Sequence, residues 1–283
     1  MKDRMRAGVS SACFFPQETA CSVEKLAQWK IPQIEIFFNS FQELKPDYLE
    51  RLRSCCQAGG TKIVSIHPFT SNSESFYFFT DYPGRLQDGL AIYRHFLRAA
   101  QQLQAQLLVF HGASIANDLP IEQSARHFAT LDRMAQEEYG ITVAHENVVR
   151  SRSRDIEYLV QLREAYPQLK LVLDVKQALR AGHEPLEYVE QLGESVIHVH
   201  ISDSTQEEDC LPVGSGDAHL KALLGALQGK GFAGCVLQEL YRSSYQEEQE
   251  VREGYHRLQK MIDGLYHPSQ KIDKIRQKIR EIN

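Results

Sequence analysis

No run in this chain approaches the roughly 18 uninterrupted apolar residues that a membrane-spanning helix needs. The six cysteines, at positions 13, 21, 55, 56, 210 and 235, never fall at CxxC spacing. A zinc ribbon, a redox dithiol and a disulfide framework are therefore not expected, and Cys13 and Cys235, set in apolar runs, read as small buried thiols. Basic residues form no long run before the C-terminal end and the formal net charge is −5, so a strong electrostatic grip on nucleic acid is not expected. The opening MKDRMRAGVSSACFFP holds too short an apolar stretch for a secretory signal. Internal repeats and low-complexity linkers are absent. These features predict a cytoplasmic protein without a membrane partner.

The 283 residues are 42% hydrophobic and 24% charged, enough apolar material for a large core. Eight short runs rich in Val, Ile, Leu and Phe read as strands covered on both faces: Ala7–Phe14, Gln33–Phe38, Lys62–His67, Gln106–His111, Ile141–Glu146, Lys170–Asp174, Ser195–His200 and Gly234–Glu239. Between them, segments such as PDYLERLRSCC and IEQSARHFATLDRMAQEE space apolar residues at helical intervals. Pro46 suits an early helical position, Gly59-Gly60 and Gly140 suit helix stops, and Asp217 suits a cap on the helix that follows it. After the sixth strand the next helix is expected to begin near Glu184-Pro185. Strand and helix alternating eight times predict a single (β/α)8 barrel over residues 1–283, with 268–283 as a C-terminal helical tail.

Six successive candidate strands end on, or one residue from, a side chain that can bind a metal: His67, His111, Glu146, Asp174, His200 and Glu239. A parallel barrel gathers such ends at one mouth, where its active site lies. Glu146, Asp174, His200 and Glu239 would surround one divalent ion with three carboxylates and an imidazole. Two carboxylates on opposite sides can each hold the ion and still reach a substrate proton. His67 and His111 read either as nitrogen ligands of a second ion sharing Glu146 or as groups that orient the substrate. Oxygen-rich coordination suits Mn²⁺ or Mg²⁺, and added histidines move the preference towards Zn²⁺. His145 should point away from this cluster, and His198 should face the same way as His200, one layer deeper. The long connection after the third strand carries Phe76, Tyr77, Phe78 and Phe79 and reads either as a lid over the site or as packing against a neighbour.

HENV, LDVKQALRAGHEP, HVHISDS and LPVGSGD occur in this order. Through them the chain resembles the xylose-isomerase-like barrel superfamily of sugar isomerases and epimerases, to which the endonuclease IV-type repair enzymes are related. The resemblance implies that Glu146, Asp174, His200 and Glu239 are the metal ligands. It also implies that Glu146 and Glu239 form the acid/base pair, moving a proton on opposite faces of a substrate carbon through an enediolate-like state. The expected substrate is a small sugar, sugar phosphate or polyol-derived hydroxy-ketone. His67, His111, Lys176, Gln177 and Arg242 are expected to contact it, and a homo-oligomer is compatible with the family.

Two positions depart from the pattern. Gln177 stands where a histidine usually follows the sixth-strand Asp by three residues, and Cys210 stands where a histidine often precedes the LPxGxG segment. In the endonuclease branch these histidines help to hold a third zinc, so the apurinic-site endonuclease reading loses support. A third reading is a barrel without catalysis that binds a sugar-like ligand or a protein partner.

Overall fold

The computed structural model describes residues 4–266; the expected 268–283 tail lies outside them. Eight short strands, β1 (Arg6–Ser10), β2 (Gln33–Phe37), β3 (Lys62–His67), β4 (Leu107–Phe110), β5 (Thr142–Glu146), β6 (Lys170–Asp174), β7 (Val196–Ile201) and β8 (Cys235–Gln238), pair in parallel in sequence order. β8 pairs back onto β1, with Ala7 opposite Val236, and closes the barrel. Helices α1 (Thr19–Gln28), α2 (Pro46–Gly59), α3 (Glu74–Phe78), α4 (Arg85–Gln102), α5 (Ile121–Tyr139), α6 (Ile156–Ala165), α7 (Val175–Arg180), α8 (Pro185–Leu192), α9 (Leu220–Gly229) and α10 (Glu248–Tyr266) occupy the connections and follow the last strand. Residues such as Leu26, Phe96, Phe128, Leu162 and Leu258 fill the layer between helices and strands, where apolar burial supplies most of the folding free energy.

Several boundaries differ from the expectation, each for a local reason. β1 stops at Ser10 because that side chain accepts a hydrogen bond from the Ala12 amide and caps a 3-10 turn over Ser11–Phe14, although that stretch is as apolar as a strand. Helix α7 follows β6 at once: Asp174 is its N-cap and accepts from the Gln177 amide at 2.9 Å. The predicted helix near Glu184-Pro185 is α8, with Pro185 in its first turn. Asp217 does not cap α9, whose N-cap is His219; the Asp217 amide donates to the Ser204 carbonyl instead. Gly60 and Gly140, both at φ 70°, end α2 and α5 as expected.

Two bulges decide what faces the barrel axis. Between β2 and β3 the register runs Ile34–Ile63 and then Glu35–Ser65, so β3 carries one extra residue, Val64. Between β6 and β7 it runs Leu171–Val196 and then Val172–His198, which makes Ile197 the extra residue. Val64 packs with Cys235 and Leu237, and Ile197 packs against Leu107, Val109, Ala144 and Val172. Strict alternation from these apolar residues would turn Ser65, His67, His198 and His200 outwards; the inserted residue turns them inwards. An apolar plug thus fills the base of the barrel and a polar layer lies above it.

Candidate metal centre

The upper layer gathers the strand-end residues at one place. One donor atom from each of Glu146, Asp174, His200 and Glu239 lies within 4.8 Å of the others. His200 Nδ1 is 2.8 Å from Glu146 Oε1, 2.8 Å from Glu239 Oε2 and 3.8 Å from Asp174 Oδ2. A second group, His67, His111 and Glu146, adjoins the first. His111 Nε2 is 2.8 Å and His67 Nε2 3.6 Å from Glu146 Oε2, and the two imidazole nitrogens are 2.9 Å apart. Glu146 therefore belongs to both groups, one oxygen facing each.

Beneath them lies an acid that the strand-end pattern does not reach. Glu35, in the middle of β2 and fully buried, accepts from Ser10 Oγ at 3.1 Å and Ser65 Oγ at 2.7 Å. Its Oε2 is 3.2 Å from His200 Nε2 and 3.5 Å from His198 Nε2. With Nε2–H donated to Glu35, the imidazole of His200 turns Nδ1 towards the carboxylate cluster, where it would offer its lone pair to a bound ion on losing the hydrogen it shares with Glu146, the usual arrangement behind a metal-ligating histidine. The sequence did hold a signal: QIEIF places one acid at an inward position between the apolar residues Ile34 and Ile36.

The other predicted residues divide into those inside the cluster and those beside it. Lys176 is buried, pairs with Asp174 Oδ2 and lies 3.2 Å from Glu239 Oε1. Gln177 accepts the Val149 amide at 3.1 Å through its Oε1, so its side chain ties α7 to the loop after β5. Arg242 sits on a turn after β8, and its Nη1 donates to the Tyr245 carbonyl at 2.9 Å. Cys210, buried with φ 62°, receives the Tyr241 amide on its sulfur at 3.3 Å. His198 lies one layer below His200, as expected. His145 points away and packs against Phe110 and Phe128; burial pushes its pKa down to about 4.

Glu74, in the connection after β3, was also missed. Fully buried, it accepts the amides of His111 at 2.7 Å and Gly112 at 2.6 Å on one oxygen and pairs with the Tyr93 hydroxyl through the other. The aromatic segment is correspondingly divided: Phe78 and Phe79 are buried against Phe110, while Phe76 is exposed under the Arg85 guanidinium. Packing thus accounts for its buried half.

The electrostatics fit a divalent ion. Burial alone would raise the pKa of Glu146, but His200 and His111 hold it well below the usual carboxylate range. Burial likewise opposes ionisation of Glu239, and His200 and Lys176 overcome it, bringing the pKa to about 2. Burial works against a charge on His200, yet Glu239, Glu35 and Glu146 raise its pKa well above the ordinary value. Nδ1 carries a single hydrogen, however, and Glu146 takes it. Glu239 Oε2, buried and equally close, has no hydrogen-bond partner among the described residues. Three converging carboxylates with an orphaned oxygen and an imidazole form a donor set of the kind that Mn²⁺, Mg²⁺ or Zn²⁺ accepts.

A model of the family described as xylose isomerase-like TIM barrel matches residues 23–261. The chain belongs to that family. Among curated relatives, an uncharacterized protein of Methanocaldococcus jannaschii is 26% identical over 251 residues, 82% of each chain. Among solved structures, a D-tagatose 3-epimerase-like protein superposes with a TM-score of 0.75 at 21% identity, covering 93% of this chain and 99% of its own. The 3-keto-D-glucoside 4-epimerase of E. coli superposes at 0.71 with 15% identity, covering 91% and 100%. At these identities the structural likeness is one of fold. The geometry adds two features: Lys176 pairs with two of the candidate ligands, and Gln177 and Cys210 each accept a backbone amide.

Proposed function

We propose that the protein is a divalent-metal-dependent isomerase or epimerase of a small sugar, sugar phosphate or related hydroxy-ketone. The observation that carries this reading is the pair of buried carboxylates, Glu146 on β5 and Glu239 just after β8, each 2.8 Å from one His200 nitrogen and three strands apart around the barrel. Such a pair brackets a space from two sides, as two-sided proton transfer at carbon requires. The epimerase names of the structural neighbours agree with it.

Glu146, Asp174, His200 through Nδ1 and Glu239 would hold the ion. When bound, a divalent ion polarises substrate carbonyl and hydroxyl oxygens and so acidifies the neighbouring C–H. One of Glu146 and Glu239 removes the proton from that carbon on one face, and the other returns a proton to the opposite face. His200 and His111 keep Glu146 ionised, and His200 and Lys176 keep Glu239 ionised, so both are able to accept. His67 and His111 stand on the β3–β4 side, where their nitrogens can hydrogen-bond substrate hydroxyls and fix which carbon is presented.

The test is incorporation of solvent deuterium into ketohexoses and their phosphates by the Mn²⁺-loaded protein, followed by NMR. Exchange at a carbon next to the carbonyl is expected, with Glu239→Gln abolishing it while substrate binding survives. Normal exchange by Glu239→Gln would refute the assigned role.

A further inference from the structure

Lys176 enters the cluster from the first turn of α7, two residues after Asp174, and its side chain is 2% exposed. A lysine near a barrel mouth ordinarily extends its ammonium to water; this one turns it inwards. Nζ pairs with Asp174 Oδ2 and lies 3.2 Å from Glu239 Oε1, so it occupies oxygens on two of the four candidate ligands. The outward path is covered. The Tyr241 ring lies 5.6 Å from Nζ, and Arg180 Nη1 holds the Tyr241 hydroxyl at 3.0 Å while the same guanidinium pairs with Asp209. These contacts join α7 and the loops after β7 and β8 above the lysine.

The charges can be counted. Three carboxylates around a divalent ion and a neutral imidazole leave one net negative charge, and the ammonium brings that set to zero. A cation already seated among the ligands also repels an arriving divalent ion, strongly so in a buried site of low dielectric.

We propose that Lys176 is a built-in counter-ion of this site, competing with the divalent ion for Asp174 and Glu239. The inference rests on the metal-site reading of the proposed function. It implies that this barrel holds its ion more loosely than the same four ligands would alone, and that metal occupancy depends on supply.

The test is calorimetric titration of the full-length, metal-stripped protein with Mn²⁺, using wild type, Lys176→Met and Lys176→Arg, each checked for folding by circular dichroism. Lys176→Met should bind Mn²⁺ at least about tenfold more tightly than wild type, because removing one adjacent positive charge removes a repulsion. Lys176→Arg keeps the charge and should stay close to wild type. Equal or weaker binding by Lys176→Met, with wild type binding normally, would overturn the counter-ion role and leave the metal site standing. If neither folded wild type nor folded Lys176→Met takes up Mn²⁺ or Zn²⁺, the metal-site reading falls and this inference falls with it.

Discussion

Glu35 is the residue on which the orientation of His200 turns. Without an acceptor at Nε2 the imidazole could present either tautomer to the carboxylates; with Glu35 at 3.2 Å the hydrogen is held on the far side. Glu35→Gln retains an oxygen able to accept from Nε2 and removes the negative charge that makes Nδ1 a stronger donor. Outer partners of metal-bound histidines typically contribute 10- to 100-fold in affinity. Glu35→Gln is therefore expected to weaken Mn²⁺ binding by about tenfold, at the lower end of that range because the shape is kept. Equilibrium titration against a competing chelator reads this directly, and an unchanged dissociation constant would show that Glu35 serves only the packing of the polar layer. At this scale the sequence was most legible where a residue's place follows from strand polarity. Glu146, Asp174, His200 and Glu239 stand at strand ends and meet as that predicts, whereas Glu35 and Glu74 act from the middle of a strand and from a connection.

At the scale of elements, alternation and helix punctuation were enough to find all eight strands, and β3 and β6 matched residue for residue. What escaped were features decided by tertiary contact. The bulges at Val64 and Ile197 leave no composition signal, yet they turn His67 and His200 towards the axis. Helix α7 has only six residues, too few for an apolar stripe to repeat, and its cap is a candidate metal ligand. The connection after β3 is joined to β4 by Glu74, which holds two buried amides at the residues that place His111. Glu74→Ala leaves those donors without their acceptor, at a cost of roughly 3 kcal/mol. For a chain of this size that corresponds to a fall of about 5 °C in Tm. Differential scanning calorimetry checks it; a midpoint within a degree of wild type would mean that the connection is held by Phe78 and Phe79 alone.

The whole molecule is polar along the barrel axis. Its base is plugged by Val64, Val172, Ile197, Cys235 and Leu237, and its mouth carries the ionisable cluster. Among the described residues, the exposed large hydrophobics Phe15, Phe41, Phe76, Tyr82, Ile115 and Tyr241 all lie on connections that follow strands, on the side of the mouth. No helix among the described residues is long and apolar enough to cross a membrane. One end of the barrel thus stores stability and the other concentrates charge and exposed apolar surface, the division that a (β/α)8 enzyme uses to vary its chemistry without disturbing its core. The substrate was not legible, since connection side chains set it and their arrangement comes from packing.

The central claim is that the four strand-end residues hold one functional divalent ion, and elemental analysis of protein purified without chelator tests it most directly. Wild type is expected to carry, or to take up on reconstitution, about one Mn or Zn per chain through the Glu146, Asp174, His200 and Glu239 set, and Glu146→Ala and Glu239→Ala, still folded, are expected to lose it. Wild-type protein that stays metal-free after reconstitution, or folded variants that keep the full complement, would contradict the account.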